Sequence, residues 1–150
     1  MAIFNFADVV SDPSLVANFS ATDDALNFAT QSATDVVVRP AGSSTTFVVG
    51  SDSVTIPLAL ASITTSNVRF ADGSVLRVGD NNVDTLFDDL AQTQTLTANP
   101  TVYYALSGND AITAGAADTI IYGNVGNDTL VGAANNDNLY GGQNDDNITG

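Results

Sequence analysis

The clearest chemical pattern in the chain is a series of five aspartates near its end, each followed two residues later by an aliphatic residue. The pairs are Asp110 with Ile112, Asp118 with Ile120, Asp128 with Leu130, Asp137 with Leu139, and Asp146 with Ile148. The aspartates are 8, 10, 9 and 9 residues apart. One step is a residue short and the next is a residue long, so the phase of the repeat is restored. A stacked coil tolerates this, because a loop can change in length without shifting the layers above and below it.

A nine-residue step suits half a coil, with about three residues in a short strand and about six in a turn. The aliphatic residue at the strand centre would then face inward between two thin sheets, and two nonapeptides would complete one coil. Aspartates about 18 residues apart would share an edge. Asp110, Asp128 and Asp146 would line one edge, and Asp118 and Asp137, 19 residues apart, would line the other.

Carboxylates stacked at the strand spacing of about 4.8 Å repel one another, and so thin a core cannot easily offset that repulsion. A dication bound between consecutive turns would offset the repulsion between their carboxylates. Ca²⁺ accepts roughly six to eight oxygens in flexible geometry, including backbone carbonyls, whereas Mg²⁺ demands a rigid octahedron and keeps its waters. Glycine lets a turn carbonyl point at an ion because it enters positive-φ conformations without steric cost. The turn glycines that join the five aspartates as candidate metal-site residues are Gly108, Gly123, Gly126, Gly132 and Gly141.

Composition narrows the possible functions. All 17 acidic residues are aspartates, the net charge is −14, and the chain has no Cys, His, Trp, Lys or Glu. This charge argues against nucleic acids and anionic membranes as partners, and it suits cations. Most general bases and covalent nucleophiles are missing, and no HExxH, GxSxG or GxxxxGK[ST] motif occurs. An aspartate pair, Asp23-Asp24 or Asp88-Asp89, could still act as acid and base, but we expect no enzymatic activity.

Residues 1–98 read as an antiparallel β module with one or two short helices. Asp12 and Pro13 predict the start of a short helix, and "DALNFA" predicts a strand. Five segments rich in β-branched and aromatic residues predict a meander over residues 35–79, with a tight hairpin at Asp72-Gly73 and an edge strand or a bulge at Pro57. The segment that follows has two possible interpretations: a short amphipathic helix from Val83 to Leu90, or a degenerate repeat at Asp84. Residues 101–106 predict a strand.

The segments "GNVGNDTLV", "GAANNDNLY" and "GGQNDDNIT" resemble the G-G-x-G-x-D-x-U-x nonapeptide of the RTX (hemolysin-type) calcium-binding family. This resemblance covers residues 105–150. It implies a parallel β-roll with Ca²⁺ in its turns, secretion through a type I channel, and folding on meeting extracellular calcium. Residues 20–85, with "VRFADGSVLRVGDN", are similar to a β-rich module found ahead of such arrays in secreted bacterial proteins.

Departures from the family pattern rank the candidate sites. The third glycine of the pattern is kept at Gly108 and Gly126 and is replaced by Ala116, Asn135 and Asn144 in the other repeats. Asn tolerates the left-handed conformation, whereas Ala there costs roughly 1 kcal/mol or more. We therefore expect the better sites at the Asp110/Asp128 and Asp128/Asp146 pairs, and a poorer one at Asp118/Asp137. We expect Asp145 to be a surface charge.

The predicted architecture is all-β, with an antiparallel β meander or sandwich at residues 1–98 and a parallel β-roll at 99–150 that stops within a repeat. The expected function is that of a secreted calcium-binding structural or assembly protein of a bacterial surface or extracellular matrix, such as a surface layer, filament or spacer. Expected partners are calcium ions, further copies of the chain or other surface components, without membrane insertion. The alternatives are an adhesin or carbohydrate-binding module with its site in 35–79, the non-catalytic part of a type I secreted enzyme or toxin, and, for the array, a calcium-free solenoid.

Overall fold

The computed structural model describes residues 1–81, 89–96 and 99–150. Within these ranges the structure is nearly all β, with one α-helix, α1 (Phe6–Ser11), and 3₁₀ turns at Pro13–Val16, Ala33–Asp35 and Leu60–Ser62. The strands are β1 (Ala2–Asn5), β2 (Asp24–Phe28), β3 (Val37–Ala41), β4 (Ser44–Val49), β5 (Asp52–Ile56), β6 (Val68–Phe70), β7 (Val75–Val78), β8 (Thr93–Thr95), β9 (Thr101–Tyr104), β10 (Ala111–Thr113), β11 (Thr119–Val125), β12 (Thr129–Val131), β13 (Asp137–Gln143) and β14 (Asn147–Thr149). The predicted all-β class is confirmed.

Part of the N-terminal half differs from the predicted antiparallel meander. Strands β1, β2 and β6 form a parallel sheet, and β7 belongs to a different sheet from β6. The turn at Asp72-Gly73, with Gly73 at φ 82°, is therefore a corner between two sheets and not a hairpin. Alternating apolar residues predict where a strand lies but not which strand it pairs with, which explains the error.

Strands β3, β4 and β5 form the antiparallel part of this module. Val37 pairs with Val48 and Val49 pairs with Asp52, so the three strands are joined by two hairpins. Strand β5 ends at Ile56, directly before Pro57, and lies at the edge of its sheet. Proline has no N–H to donate, so the predicted edge position follows from its chemistry.

The remaining strands form two parallel four-stranded sheets, as predicted for a roll. The first roll sheet has the order β7-β9-β11-β13, and the second roll sheet has the order β8-β10-β12-β14. From β8 onward, paired residues in each sheet are 18 positions apart, for example Thr93 with Ala111 and Ala111 with Thr129. Two nonapeptides therefore make one coil.

The roll begins before residue 99. Strands β7 and β8 are the first strands of the two roll sheets, so one rung lies inside the predicted N-terminal module. Val75 pairs with Thr101, 26 positions later, instead of with a residue 18 positions later. This irregular first coil does not follow the repeat, so periodicity alone could not detect it. The predicted repeat at Asp84 and most of the alternative helix from Val83 to Leu90 fall on residues 82–88, outside the described residues.

Apolar side chains fill the space between the two roll sheets. The described members of this roll interior that are fully buried are Tyr103, Ala105, Ile112, Ile121 and Leu130. In the last rung Leu139 is only partly buried, and Ile148 is 47% exposed. Apolar burial therefore decreases along the roll toward Gly150.

The outer face of the first roll sheet belongs to a second, larger core. Leu76, Val102 and Tyr104 are buried in the same cluster as Phe28 and Phe47 of the N-terminal module. The beginning of the first roll sheet is thus buried on both faces, and the N-terminal module anchors the first rungs of the roll.

The structure also corrects the phase of the repeat. Strand β11 buries Ile121 in the roll interior, whereas Ile120, predicted to face inward, packs against the N-terminal core. Thr119, and not Asp118, pairs with Asp137. The repeat positions are therefore 110, 119, 128, 137 and 146, with a uniform step of nine residues. The uneven steps arose because Asp118 stands one residue before its repeat position.

Candidate metal centre

The turns that connect the two roll sheets lie along two edges. The aspartate edge comprises residues 105–110, 123–128 and 141–146, including the last residues of β11 and β13. The threonine edge comprises residues 99–101, 114–119 and 132–137. Because paired residues are 18 positions apart, equivalent turn positions stack directly above one another.

Aspartates of successive turns form a ladder along the aspartate edge. The backbone N–H of Asp110 donates to Oδ1 of Asp128 at 2.8 Å, and the N–H of Asp128 donates to Oδ1 of Asp146 at 3.0 Å. Gln92 continues the ladder upstream, since its N–H donates to Oδ1 of Asp110 at 2.7 Å. Each aspartate is therefore held in place by the preceding coil, so the carboxylates stack in a fixed register.

The second oxygens of two of these aspartates are buried without a partner. Asp110 and Asp128 are each only 1% exposed, and no donor among the described residues bonds to Oδ2 of either. Burial raises the pKa of Asp110 to about 6, and the neighbouring Asp128 carboxylate adds to the shift. Burial likewise raises the pKa of Asp128, with a further contribution from Asp146. A buried carboxylate with a free oxygen is costly unless a positive charge accompanies it.

Glycines make room for these oxygens. A Cβ placed on Gly123 would collide with both Oδ2 of Asp128 and the carbonyl oxygen of Gly141 in the next turn. A Cβ on Gly141 would similarly collide with Oδ2 of Asp146. A carboxylate oxygen and a carbonyl oxygen therefore converge on the space that a side chain at position 123 would fill. Two converging oxygens of these types suit Ca²⁺.

Positive φ angles are concentrated on the aspartate edge. The residues concerned are Leu106, Gly108, Asn124, Gly126, Gly142 and Asn144, two in each turn. A Cβ on Gly126 would collide with the carbonyl oxygen of Gly108, so the backbones of successive turns are in close contact. Left-handed residues reverse the direction of neighbouring peptide groups, which brings turn carbonyls toward the adjacent coil.

The threonine edge has different chemistry. Its stacked repeat position holds Thr101, Thr119 and Asp137. Both oxygens of Asp137 accept hydrogen bonds, Oδ1 from the N–H of Thr119 at 3.0 Å and Oδ2 from the N–H of Ala133 at 3.0 Å. The structure does not bring Asp118 and Asp137 together as predicted. Exposed Asp118 instead accepts from the N–H of Asn136 at 3.2 Å.

The remaining glycine and alanine predictions on this edge also differ from the structure. The oxygens around Gly132 lie farther away than those around Gly123, since a Cβ there would meet Oδ2 of Asp137 at 3.3 Å and the carbonyl oxygen of Thr149 at 3.6 Å. Ala116 does not lie in the left-handed region, so the predicted backbone cost does not arise. Among the described residues of this edge, Asn135 is the one with a positive φ angle.

Sequence reasoning missed a second ladder on the aspartate edge. The N–H of Asn127 donates to Oδ1 of Asn109 at 2.8 Å, and the N–H of Asp145 donates to Oδ1 of Asn127 at 3.0 Å. These residues stand immediately before the aspartates at 18-residue spacing, and that spacing was the available signal. Asp145 is exposed, as predicted, and it ends this ladder.

The oxygens of the aspartate edge fit a calcium ion. Among the described residues, no three acidic side chains form a metal-binding cluster, so carboxylates alone would not complete a coordination shell. Backbone carbonyls would have to supply the rest, as Ca²⁺ accepts and as the close approach of Gly141 to Asp128 permits. Asp110, Asp128 and Asp146 would hold the ions, which would neutralise the stacked carboxylates.

Comparison with known protein families agrees with this chemistry. The family described as RTX calcium-binding nonapeptide repeat (4 copies) matches residues 102–130 and 122–150. Residues 102–150 are RTX repeats. RTX repeats bind Ca²⁺, and they are typical of secreted, extracellular bacterial proteins. Residues 102–150 are therefore a calcium-binding segment of this chain.

The RTX match begins at residue 102, so the predicted similarity of residues 20–85 to a module found ahead of such arrays stays a prediction. Comparison with curated proteins and with solved structures gives no match. Among the described residues, no helix combines the length and the apolar character needed to cross a bilayer.

Proposed function

We propose that this protein is an extracellular structural or assembly element of a bacterial surface, whose RTX roll folds when calcium binds along the aspartate edge. The observation that carries the proposal is the pair of buried, unpartnered Oδ2 atoms on Asp110 and Asp128. Without a cation these carboxylates oppose stacking of the coils, and with one they favour it. Calcium binding therefore becomes folding free energy, and the low calcium inside a cell would keep the array unfolded before export.

The distribution of apolar burial supports folding in one direction. The first rungs are anchored because Val78 and Val102 lie in the N-terminal core. The last rung lacks such support, since Ile148 is 47% exposed and Leu139 is only partly buried. Coils near the N-terminal module would form first, and each would provide the edge on which the next coil is built.

The last rung also supports a role in assembly. Tyr104, Tyr122 and Tyr140 stack along the outer face of the first roll sheet, with ring centroids 4.6 and 5.0 Å apart. Tyr140 is 51% exposed, and β13 and β14 are edge strands of their sheets. An edge strand with exposed apolar side chains is a template for further strand pairing, either by more repeats or by another copy of the chain.

We further propose that the protein is not an enzyme, a view that rests on the missing general bases and nucleophiles. An adhesin or carbohydrate-binding role finds less support, because Phe47 and Phe70, the aromatic residues of the predicted sugar-binding region 35–79, are both buried. Sugar-binding surfaces use exposed aromatic faces. A role as the non-catalytic part of a type I secreted enzyme or toxin is compatible with the same calcium chemistry.

Circular dichroism during a calcium titration, followed by addition of EGTA, tests the switch. We expect β-structure to increase with calcium and to be lost with EGTA, and unchanged spectra would overturn the proposal. Light scattering of the calcium-loaded protein tests assembly. We expect Ile148→Asp to reduce self-association, whereas Leu15→Asp, at a similarly exposed site in the N-terminal module, should leave it unchanged.

A further inference from the structure

A cavity of about 270 Å³ lies beside the first rung of the roll, away from the calcium-binding edge. The described residues that line it are Thr65, Val75, Arg77, Asn81, Leu96 and Thr101. Arg77 contributes the one charged side chain among them. The cavity thus combines the positive charge of Arg77, three side chains able to form hydrogen bonds, and two apolar side chains.

The Arg77 side chain is not used by the fold in the way that a buried arginine usually is. Its Nε atom is buried, and no group in the described part of the chain accepts its hydrogen. The ring of Tyr103 lies 6.0 Å from the guanidinium carbon, at the outer limit of a cation–π contact. By contrast, Arg69 donates to the carbonyl oxygen of Ser66 at 2.8 Å, and Arg39 is exposed.

The missing partner is notable because the chain carries 17 aspartates. Desolvating an arginine nitrogen without a hydrogen-bond acceptor is unfavourable, and a nearby carboxylate usually accepts the hydrogen bond. Arg77 also lines the cavity, so its guanidinium group can instead receive an oxyanion from outside the chain. The guanidinium fork matches a carboxylate group in both shape and charge.

Hydrogen bonds hold the part of the cavity wall formed by Asn81 and Thr65. Asn81 has a positive φ of 65°, which is unusual for a residue other than glycine. Its Oδ1 accepts from the backbone N–H of Thr65 at 2.9 Å, and its Nδ2 donates to Oγ1 of Thr65 at 3.1 Å. Leu96 and Thr101 are buried. A preformed wall lowers the entropy cost of binding a ligand.

We propose that this cavity binds a small organic carboxylate, with Arg77 pairing with the carboxylate and Val75 and Leu96 contacting the apolar part of the molecule. The net charge of −14 repels anions from the protein as a whole. Binding therefore depends on the local charge of Arg77 and on the fit of the apolar part. This site is independent of calcium binding on the aspartate edge.

Isothermal titration calorimetry of the full, calcium-saturated chain provides the test, with benzoate, acetate and benzamide as probes. Benzoate carries both the charge and the apolar ring, acetate lacks the ring, and benzamide lacks the charge. We expect saturable benzoate binding, weakened at least tenfold for benzamide and for acetate. Absence of benzoate binding, or equal binding of benzamide, would overturn the proposal.

Two arginine variants assign the site. Arg77→Gln should weaken benzoate binding at least tenfold, whereas Arg39→Gln, which removes an equal charge from an exposed position, should leave it unchanged. Equal weakening by both variants would indicate a general charge effect and defeat the proposal. Circular dichroism shows whether Arg77→Gln folds. Should it not, the Nε–H NMR resonance of Arg77 in the unaltered protein must still shift with benzoate, and a stationary resonance would count against the site.

Discussion

The two edges of the roll are built from the same nonapeptide, yet they differ in charge and in backbone conformation. The aspartate edge stacks three carboxylates, leaves Oδ2 of Asp110 and Asp128 without a donor, and places two left-handed residues in each turn. The threonine edge replaces Asp by Thr at two of its three stacked positions and satisfies both oxygens of Asp137 within the chain. One edge thus requires a cation, and the other is complete without one.

This difference shows that an aspartate at the repeat spacing is not sufficient for a calcium site. The carboxylate must have a free oxygen, and the turn must bring a carbonyl of the next coil close to it. The cradle around Gly123 meets both conditions through Asp128 and Gly141. Asp118 is not placed in this way, because it is exposed and stands outside the repeat register.

The largest effect should follow from filling the close backbone contact on the aspartate edge. Gly126→Ala would place a Cβ against the carbonyl oxygen of Gly108, at a backbone φ of 149°. We expect a loss of about 3 kcal/mol in the free energy of unfolding of the calcium-loaded protein, measured by urea denaturation. Gly132→Ala is the matched control on the threonine edge and should cost under about 1 kcal/mol. Equal losses would show that the two edges do not differ in packing.

Removing one charge from each edge isolates the electrostatic part of the comparison. Asp128→Asn keeps an oxygen for the N–H of Asp110 but removes the charge shared by two successive turns. We expect the calcium midpoint, followed by circular dichroism, to rise at least tenfold, equivalent to about 1.4 kcal/mol. Asp118→Asn should change it less than about twofold. The reverse ranking would contradict our assignment of the sites.

Adding a carboxylate to the threonine edge sharpens the comparison. Thr119→Asp introduces a charge at a position that is 1% exposed and paired with Asp137. We expect it to destabilise the protein by about 1–2 kcal/mol. It should add no calcium equivalent in equilibrium dialysis, because turn 114–119 contains no left-handed residue. An additional bound calcium would show that charge alone creates a site.

The smallest effect concerns pH in the absence of calcium. The pKa of Asp110 is raised to about 6 in the folded state, so protonation favours folding. The stabilisation of the folded state by protonation of Asp110 is fully present below the ordinary carboxyl pKa of 3.8, and it is lost as pH rises through about 6. In EGTA, circular dichroism should therefore show more β-structure at pH 4.5 than at pH 7. Asp110→Asn should reduce this difference and Asp118→Asn should not, and the opposite pattern would refute the role given to burial.

Much of the roll could be predicted from the sequence because its signal is local and repeated. The 18-residue coil, the parallel sheets and the inward positions of Ile112 and Leu130 all follow from spacing. The error at Ile120 arose from using aspartate as the marker of phase. Aliphatic residues fill two adjacent positions there, Ile120 and Ile121, so the pattern itself did not decide which one faces inward.

The N-terminal module was harder to predict because strand pairing depends on contacts distant in sequence. The strands ending at Phe70 and beginning at Val75 were each found, but their separation into two sheets depends on partners at Leu26 and Thr101. At the metal centre, the sequence identified the correct edge. It could not show which carboxylate oxygens lack a donor, since that depends on backbone groups such as the N–H of Ala133.

The most direct test is a crystal structure of the calcium-loaded protein, with anomalous scattering used to locate the ions. The account predicts calcium peaks along the aspartate edge, beside Asp110, Asp128 and Asp146, and none beside Asp118. Correctly wound coils with only water beside Asp128, or calcium confined to the threonine edge, would contradict it.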